Sequence, residues 1–390
     1  MKIFVVTDTK FPNNDAVTAR TSHICKIFKE NGYDVRVFSR TELHDGIYEN
    51  IPYFSLRGTR SGKFGKAFDY FFEFSRRFIN IAKKERPDVI VFYNIPTRLL
   101  KKLIKLKSNL GYDLINDCVE WYSKEQVAPS IASRIQYYTK DRWIKNILPG
   151  NVRIIAISRY LKEHFESVNT PCEYLPAVCD TQKVSFCKNT NESQTTIVYA
   201  GSPGRKDLFA PIIYAIKKLT PEERQRLNIE IIGSTPEKIS DNANCSVKVL
   251  ESMRDCLHFL PRMSHDEVLK HLETADFTIL IRPEHLRYAK AGFPTKVPES
   301  LSTGTPVICN LTSDLEMYLE DGINAIIAKG PDNESVLFAL KKALSLTPDK
   351  RNQMYFNARK TAEEKFDYRI YKAKIFSFLL PSDKQKDTQC

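Results

Sequence analysis

Short apolar runs, each followed by a segment of helical spacing, recur along the whole chain. This alternation restricts the fold more than any other feature. Lys2 to Val6 predicts a strand, and Thr18 to Asn31 a helix with Ile24, Ile27 and Phe28 on one face and a stop at Gly32. Tyr33 to Ser39 alternates at period two, as a strand does. Asp88 to Tyr93 is almost wholly apolar, which suits a strand covered on both faces in a parallel sheet. Leu99 to Leu106 reads as a helix, Leu114 to Val119 and Arg153 to Ile157 as strands, and Ser158 to Phe165 as a helix capped by Ser158. After a polar, aperiodic stretch at 181–195 the alternation restarts. Strands are expected at Ile197 to Ala200, Asn228 to Ile232, Asp276 to Ile281 and Pro306 to Asn310. Helices are expected at His265 to Ala275, Pro298 to Thr303 and Glu334 to Leu346, with another opened by Arg205-Lys206 and running to Lys218.

The implied fold is α/β: two doubly wound, Rossmann-like domains facing each other across a cleft, with ligand sites outside the carboxyl ends of the strands. The expected division is 1–180 as a first domain, 181–195 as a linker and 196–363 as a second domain. A helix within 364–380, starting at Asp367, should cross back to the first domain, followed by a frayed polar tail at 381–390. A chain of 390 residues can bury two such cores without disulfide or metal staples.

Composition narrows the chemistry. Lys and Arg number 59 against 47 Asp and Glu, a net +12 that suits anionic partners. The nine cysteines are scattered, with no C-x-x-C pair, which predicts reduced thiols in a cytoplasmic protein. The apolar run after Lys2 is too short for a signal peptide, and no run approaches the roughly 20 apolar residues of a membrane span. Membrane contact would therefore be peripheral. There is no G-x-G-x-x-G, no G-x-x-x-x-G-K-[ST], no H-E-x-x-H and no D-x-D that would hold a metal against a diphosphate.

The most informative segment is 291–308, Ala-Gly-Phe-Pro-Thr-Lys-Val-Pro-Glu-Ser-Leu-Ser-Thr-Gly-Thr-Pro-Val-Ile. A Gly- and Pro-containing loop enters a short helix that Gly304 ends. Glu299 in its first turn can accept both hydroxyls of a ribose while backbone N–H groups face a diphosphate; alternatively it only complements the helix dipole.

This segment resembles the retaining glycosyltransferases of family 4, the group 1 enzymes of the GT-B class. Their signature is a Glu, seven residues, a second Glu, then small residues and Gly-x-Pro-Val. Glu299, Gly304, Pro306 and Val307 match in register, whereas Ala291 stands where the first Glu, which contacts donor sugar hydroxyls, would be. Ile197 to Asp207 is similar to the family strand that ends in Gly before a basic loop. The resemblance assigns Lys206 to the donor diphosphate, with Arg205 replacing the usual Arg at the position of Ser202. Ile154 to Leu161, Leu175 to Asp180, Asp314 to Gly322 and Phe366-Asp367-Tyr368 resemble further family segments, so the likeness spans most of the chain. Gly201, Ser202, Gly292, Phe293, Pro294, Thr295, Lys296 and Glu299 are the expected donor-binding residues.

On the acceptor side, Phe11 to Arg20 lies where the group carries a Gly-rich loop. Arg20 either faces the cleft or is a solvated surface Arg. The resemblance places Asp117 near the reacting sugar, where a carboxylate stabilises an oxocarbenium-like transition state or orients the acceptor; otherwise it is a turn or cap Asp. Asn94 and Glu120 complete the expected acceptor side. Residues 57–86 hold nine Lys or Arg against three acids, interleaved with Phe64, Phe68, Tyr70, Phe71, Phe72, Phe74 and Phe78, and Arg98 to Lys107 adds five more. Together they are expected to form one basic, apolar-studded face for an anionic membrane, or else a solvated face over its own core. No RNP, KH or zinc pattern supports nucleic-acid binding.

The resemblance implies a cytoplasmic glycosyltransferase, peripheral on the inner face of a membrane. It would move a sugar from a nucleotide diphosphate sugar to a glycan, lipid-linked acceptor in surface polysaccharide synthesis. Configuration would be retained and neither cofactor nor metal required. A GT-B nucleotide-sugar epimerase and a non-catalytic GT-B scaffold are the alternatives.

Overall fold

The computed structural model describes residues 1–379 apart from 14, 42–43, 59, 61, 63–64, 66–67, 128–129 and 189–193, and apart from the side chains of 70 and 71. The chain divides into two compact units. One comprises Met1–Tyr122, Val127–Pro176 and the chain from Tyr368 on; the other comprises Ser123–Gln126 and Ala177–Asp367.

The first unit is built on an eight-stranded sheet. Its strands are β1 (Lys2–Thr7), β2 (Asp34–Ser39), β3 (Gly46–Tyr48), β4 (Ile51–Ser55), β5 (Val89–Tyr93), β6 (Asp113–Cys118), β7 (Arg153–Ala156) and β8 (Cys172–Tyr174). They lie in the order β3-β4-β2-β1-β5-β6-β7-β8, and only the β3–β4 hairpin is antiparallel. The longer helices are α1 (Ala16–Lys29), α2 (Phe74–Glu85), α3 (Thr97–Leu110), α4 (Ile131–Arg142) and α5 (Arg159–Ser167). Asp15 starts α1 two residues ahead of the sequence reading, its carboxylate accepting from the Thr18 amide at 2.8 Å. Ser158 caps α5 as expected, accepting from the Leu161 amide at 3.3 Å.

The basic segments need a correction. Phe74 and Phe78 of α2 and Leu99, Leu100 and Leu103 of α3 are core residues with no more than 1% of their surface exposed. Helical spacing turns these apolar residues inward and leaves Arg98, Lys101, Lys102 and Lys105 outside. Phe68 and Phe72 do lie at the surface, stacked with centroids 4.9 Å apart, under the guanidinium groups of Arg60 and Arg98 respectively. Phe64 and the side chains of Tyr70 and Phe71 lie outside the described residues.

The second unit holds a six-stranded, all-parallel sheet of β9 (Thr195–Ala200), β10 (Leu227–Ile232), β11 (Leu257–Leu260), β12 (Phe277–Leu280), β13 (Val307–Asn310) and β14 (Ala325–Ala328). Its helices include α6 (Ala210–Lys218), α7 (Pro236–Ala243), α8 (His265–Thr274), α9 (Asn333–Ser345) and α10 (Pro348–Thr361). The order β11-β10-β9-β12-β13-β14 is that of a doubly wound sheet reversing direction between β9 and β12, where such sheets bind ligands. Arg205-Lys206 do not open α6: Pro203 and Gly204, at φ +52°, hold a turn, and the helix begins at Ala210. The short helix Lys296–Ser302 starts two residues before Pro298, and Gly304 at φ +74° ends it. A Cβ on Gly304 would lie 2.4 Å from the Phe186 ring, so both conformation and space require glycine.

The start of the expected linker is ordered within the second unit. The Cys179 amide donates to the Phe366 carbonyl at 2.8 Å, the Thr181 amide to Asp367 at 3.1 Å, and Arg359 to the Thr181 carbonyl at 2.8 Å. The stretch 189–193, Leu380 and the tail 381–390 lie outside the described residues. After Asp367 a tight turn, Tyr368–Tyr371, precedes α11 (Lys372–Leu379), so the expected single helix is interrupted. Lys372 pairs with Glu30 at 2.9 Å, and Phe376 stacks on Tyr33 at 5.9 Å, fixing α11 to the first unit. Among the described residues no helix is long and apolar enough to cross a membrane, and the eight described cysteines are free.

Lys188 supports the second core. Its Nζ donates to the carbonyls of Leu272 and Ala275 at 2.7 and 2.6 Å and to Thr305 Oγ1 at 2.5 Å. Burial lowers its pKa to about 7, against the pull of Asp276 and Glu273. An unfolded lysine titrates near ~10.4, so between these values the unfolded chain binds more protons and stability rises with pH. Urea unfolding of the wild type relative to Lys188→Met should show a stability difference that shifts in favour of the wild type from pH 7 toward pH 10. A pH-independent difference contradicts this assignment.

Candidate active site

In the second unit the site forms at the reversal between β9 and β12. β9 runs into Gly201, at φ +120°, and an ideal Cβ there would lie 3.4 Å from Lys296 Cε. The following loop folds around Asp207, which is 3% exposed. Asp207 accepts from Tyr199 Oη at 2.7 Å, Arg282 Nε at 2.8 Å and Lys296 Nζ at 2.8 Å. Burial alone would raise the Asp207 carboxyl, but Lys296 and Arg282 hold it well below the ordinary carboxylate range. The Lys296 ammonium also lies 3.8 Å from the centroid of the Tyr199 ring. One carboxylate thus faces two cations beside a glycine at a strand end.

The rest of the loop is held by its backbone. Asn242 donates to the carbonyls of Gly204 and Asp207, both at 2.9 Å, and Tyr288 Oη donates to the Lys206 carbonyl at 2.7 Å. The side chains of Ser202, Arg205 and Lys206 are exposed. Sequence reasoning singled out Arg205 and Lys206, yet it is their neighbour Asp207 that turns inward. It also missed Arg282 and Tyr199. Arg282 had a legible signal: it directly follows the apolar run Phe277 to Ile281, at the carboxyl end of a strand.

The 291–299 segment brings Lys296 and Glu299 toward this point. Glu299 is partly buried, and its carboxylate makes no hydrogen bond or ion pair with a described residue. Burial raises its carboxyl, opposed by His265 and Lys296. Gly292 donates its amide to the Tyr288 carbonyl at 2.9 Å, and Pro294 and Thr295 accept from the Val297 and Glu299 amides at 3.1 and 3.5 Å. Phe293 is a packing residue: its ring is buried between Tyr318 and Phe366, with centroids 5.9 and 5.8 Å away. Ala291, in the short helix Arg287–Ala291, has no exposed surface.

In the first unit the corresponding strand ends also gather polar groups. Asn94, left-handed at φ +47°, closes β5 and donates to Asp8 at 2.8 Å. Arg20 is not a solvated surface residue. It is 7% exposed and grips both oxygens of Asp117, Nε at 3.0 and 2.9 Å and Nη2 at 2.7 Å, while donating to the carbonyls of Pro176 and Leu175 at 2.9 and 3.2 Å. Asp117 lies within β6, in neither a turn nor a cap. A cavity of about 40 Å³ beside it is lined by Tyr93, Asn94, Glu120, Lys140 and Trp143. Glu120 accepts from Tyr122 Oη. Burial lowers the Lys140 amine, while Asp8 and Glu120 act to hold it up. Among the described residues no group of three or more His, Cys, Asp or Glu side chains is placed to hold a metal ion.

Residues 180–361 match the family model of the glycosyl transferases group 1. No curated protein sequence matches the chain significantly. Solved structures give the fold. Sucrose-phosphate synthase from Thermosynechococcus elongatus aligns with a TM-score of 0.73 at 14% identity, over 100% of both chains. WaaG, a glycosyltransferase involved in lipopolysaccharide biosynthesis, aligns at 0.68 and 17% identity, over 97% of this chain and 100% of its own. HepE from Anabaena, solved in complex with UDP-glucose, aligns at 0.68 and 12%, over 97% of this chain and 99% of its own. Residues 180–361 thus match the group 1 glycosyl transferases, and the chain as a whole has the GT-B fold of these structures.

Proposed function

We propose that the chain transfers a sugar, with retention of configuration, from a nucleoside diphosphate sugar to a lipid-linked glycan in surface polysaccharide synthesis, at the inner face of a membrane. The observation that carries the donor reading is the cluster of Arg282 and Lys296 on Asp207 beside Gly201. Two cations share one buried anion, so the site keeps positive potential for an incoming diphosphate. HepE, a fold relative, has been solved with UDP-glucose, and WaaG acts in lipopolysaccharide biosynthesis, both in keeping with this reading.

The chemistry needs few side chains. Charge builds on the diphosphate as the glycosidic bond breaks, and fixed cations stabilise that charge most in the transition state. Lys296 and Arg282 supply it from the floor of the site, with Lys206 and Arg205 on the loop above. The departing phosphate oxygen takes the acceptor proton, so no strong protein base is required. Glu299 accepts the ribose hydroxyls, Gly201, Ser202 and Gly292 let backbone approach the phosphates, and Thr295 borders them. Asp117, already bound by Arg20, positions the end of β6, while Asn94 and Glu120 face the acceptor. The basic residues supply the charge that a metal would otherwise bring.

The test is release of nucleoside diphosphate from a panel of nucleotide sugars, with and without lipid-linked acceptor. Acceptor-dependent release that survives EDTA is expected. Loss with EDTA and recovery with Mg or Mn overturns the metal-independent site, and free epimerised nucleotide sugar overturns the transferase reading.

Glu299→Ala should weaken nucleoside diphosphate binding by about 1.5–3 kcal/mol, the range for hydrogen bonds involving a charged group, measurable by calorimetry. Lys206→Ala and Lys296→Met should both lower kcat, with the larger loss at Lys296 because its ammonium sits on the sheet end and not on an exposed loop. Unchanged kinetics in folded Lys296→Met would move the diphosphate elsewhere.

A further inference from the structure

The outer face of α4 carries three large apolar side chains open to solvent: Ile131 at 77%, Ile135 at 61% and Tyr138 at 59% exposure. They stand at i, i+4 and i+7, so they form one stripe along the helix. No residue of α4 is fully buried. The exposed Arg134 and Arg142 fall on the same side of the helix at that spacing. The one acid of the helix, Asp141, is taken by Trp121 Nε1 at 2.9 Å and Lys145 Nζ at 2.8 Å. The opposite face turns Lys140 inward, its ammonium 4.1 Å from the Trp143 ring centroid, at the wall of the Glu120 cavity. Trp143 Nε1 donates to Thr97 Oγ1 at 2.9 Å, which ties the end of α4 to the start of α3, where the exposed Arg98 stands.

We propose that α4 docks on an anionic lipid bilayer, its isoleucines and Tyr138 entering the headgroup boundary and Arg134 and Arg142 meeting lipid phosphates. This deepens the reading of a lipid-linked acceptor and rests on it. A cationic rim around an aliphatic stripe matches an interfacial helix, whose arginines reach up to the phosphates while their stems cover apolar surface. A second copy fits poorly, because a twofold contact along this stripe sets arginines against arginines. Docking here would bring the surface that delivers the acceptor to the helix whose inner face already lines the cavity.

The test uses the full chain and vesicles of phosphatidylcholine, alone or mixed with phosphatidylglycerol, at low and high salt. Wild type should sediment with the anionic vesicles and be released by salt. The double variant Ile131→Glu/Ile135→Glu should partition at least roughly tenfold less, since both buried side chains are lost. Lys101→Glu/Lys102→Glu on α3 should lose less. Ile135→Trp should add blue-shifted emission, relative to wild type, only with anionic vesicles. Undiminished partition of the double variant, no emission shift, or a dimer that the double variant disperses overturns the proposal. Nucleoside diphosphate release is scored on the same preparations with lipid-linked acceptor in detergent micelles, without vesicles. Loss of vesicle binding in wild type with release intact overturns docking alone. Binding with no release from any donor supports docking and overturns the transferase reading.

Discussion

Asp207 is an anion in a nearly solvent-free position, and it remains ionised because two cations from distant segments reach it. Arg282 is 75 residues further along the chain and Lys296 is 89. Their convergence fixes the loop after β9, the end of β12 and the helix Lys296–Ser302 to a single point. Removing one partner from such a buried pair typically costs about 3–5 kcal/mol, because the other charge is left unpaired. The arrangement therefore does two things at once. It locks three strand-end segments into register, and it gathers two cations where the doubly wound sheet reverses, the place where such sheets bind ligands.

The first unit solves a similar problem with Arg20 and Asp117. There the charges balance, with one guanidinium for one carboxylate, and the remaining donors of Arg20 go to the carbonyls of Leu175 and Pro176. The pair joins α1, β6 and the end of the first unit, and it has no charge left over for a ligand. The same chemistry thus sets one cation on a buried carboxylate in one unit and two in the other. The difference lies in the count of cations around each buried carboxylate.

The fold was largely legible because its signal is repeated and physical. A strand covered on both faces must be apolar throughout, as Asp88 to Tyr93 is, and β5 follows that reading closely. Helix starts were legible where a side chain caps them, as at Ser158. The β3–β4 hairpin was not, because three and five residues give too short a pattern. Nor was α10, where Met354, Tyr355 and Ala358 are buried among mostly polar neighbours. The site was legible at Lys296 and Glu299, which stand in a dense local motif. It was hidden at Asp207 and Arg282, because a buried carboxylate and its distant partner look in sequence like any acid and any arginine. The basic aromatic stretch misled for a related reason: composition counts charges and rings but does not say which way a helix turns them.

The two departures from the family signature fall at positions that the structure treats differently. Ser202 is exposed on the loop after Gly201, and the guanidinium of Arg282, just past the neighbouring strand β12, reaches that loop at Asp207. Ala291 is different. It has no exposed surface, so a longer acidic side chain at this backbone would be buried and would need pairing. In the proposed reading, recognition of the donor's hydroxyls falls to carboxylates that still have free acceptor capacity. Glu284 already accepts from Asn310 at 3.0 Å, and Asn310 in turn holds the backbone of Arg282. Asp207 is saturated by Tyr199, Arg282 and Lys296. The Glu299 carboxylate, partly buried and hydrogen-bonded to no described residue, is the one in this cluster with acceptor capacity to spare. Burial makes such a group costly to ionise alone, and donated hydroxyls would offset that cost.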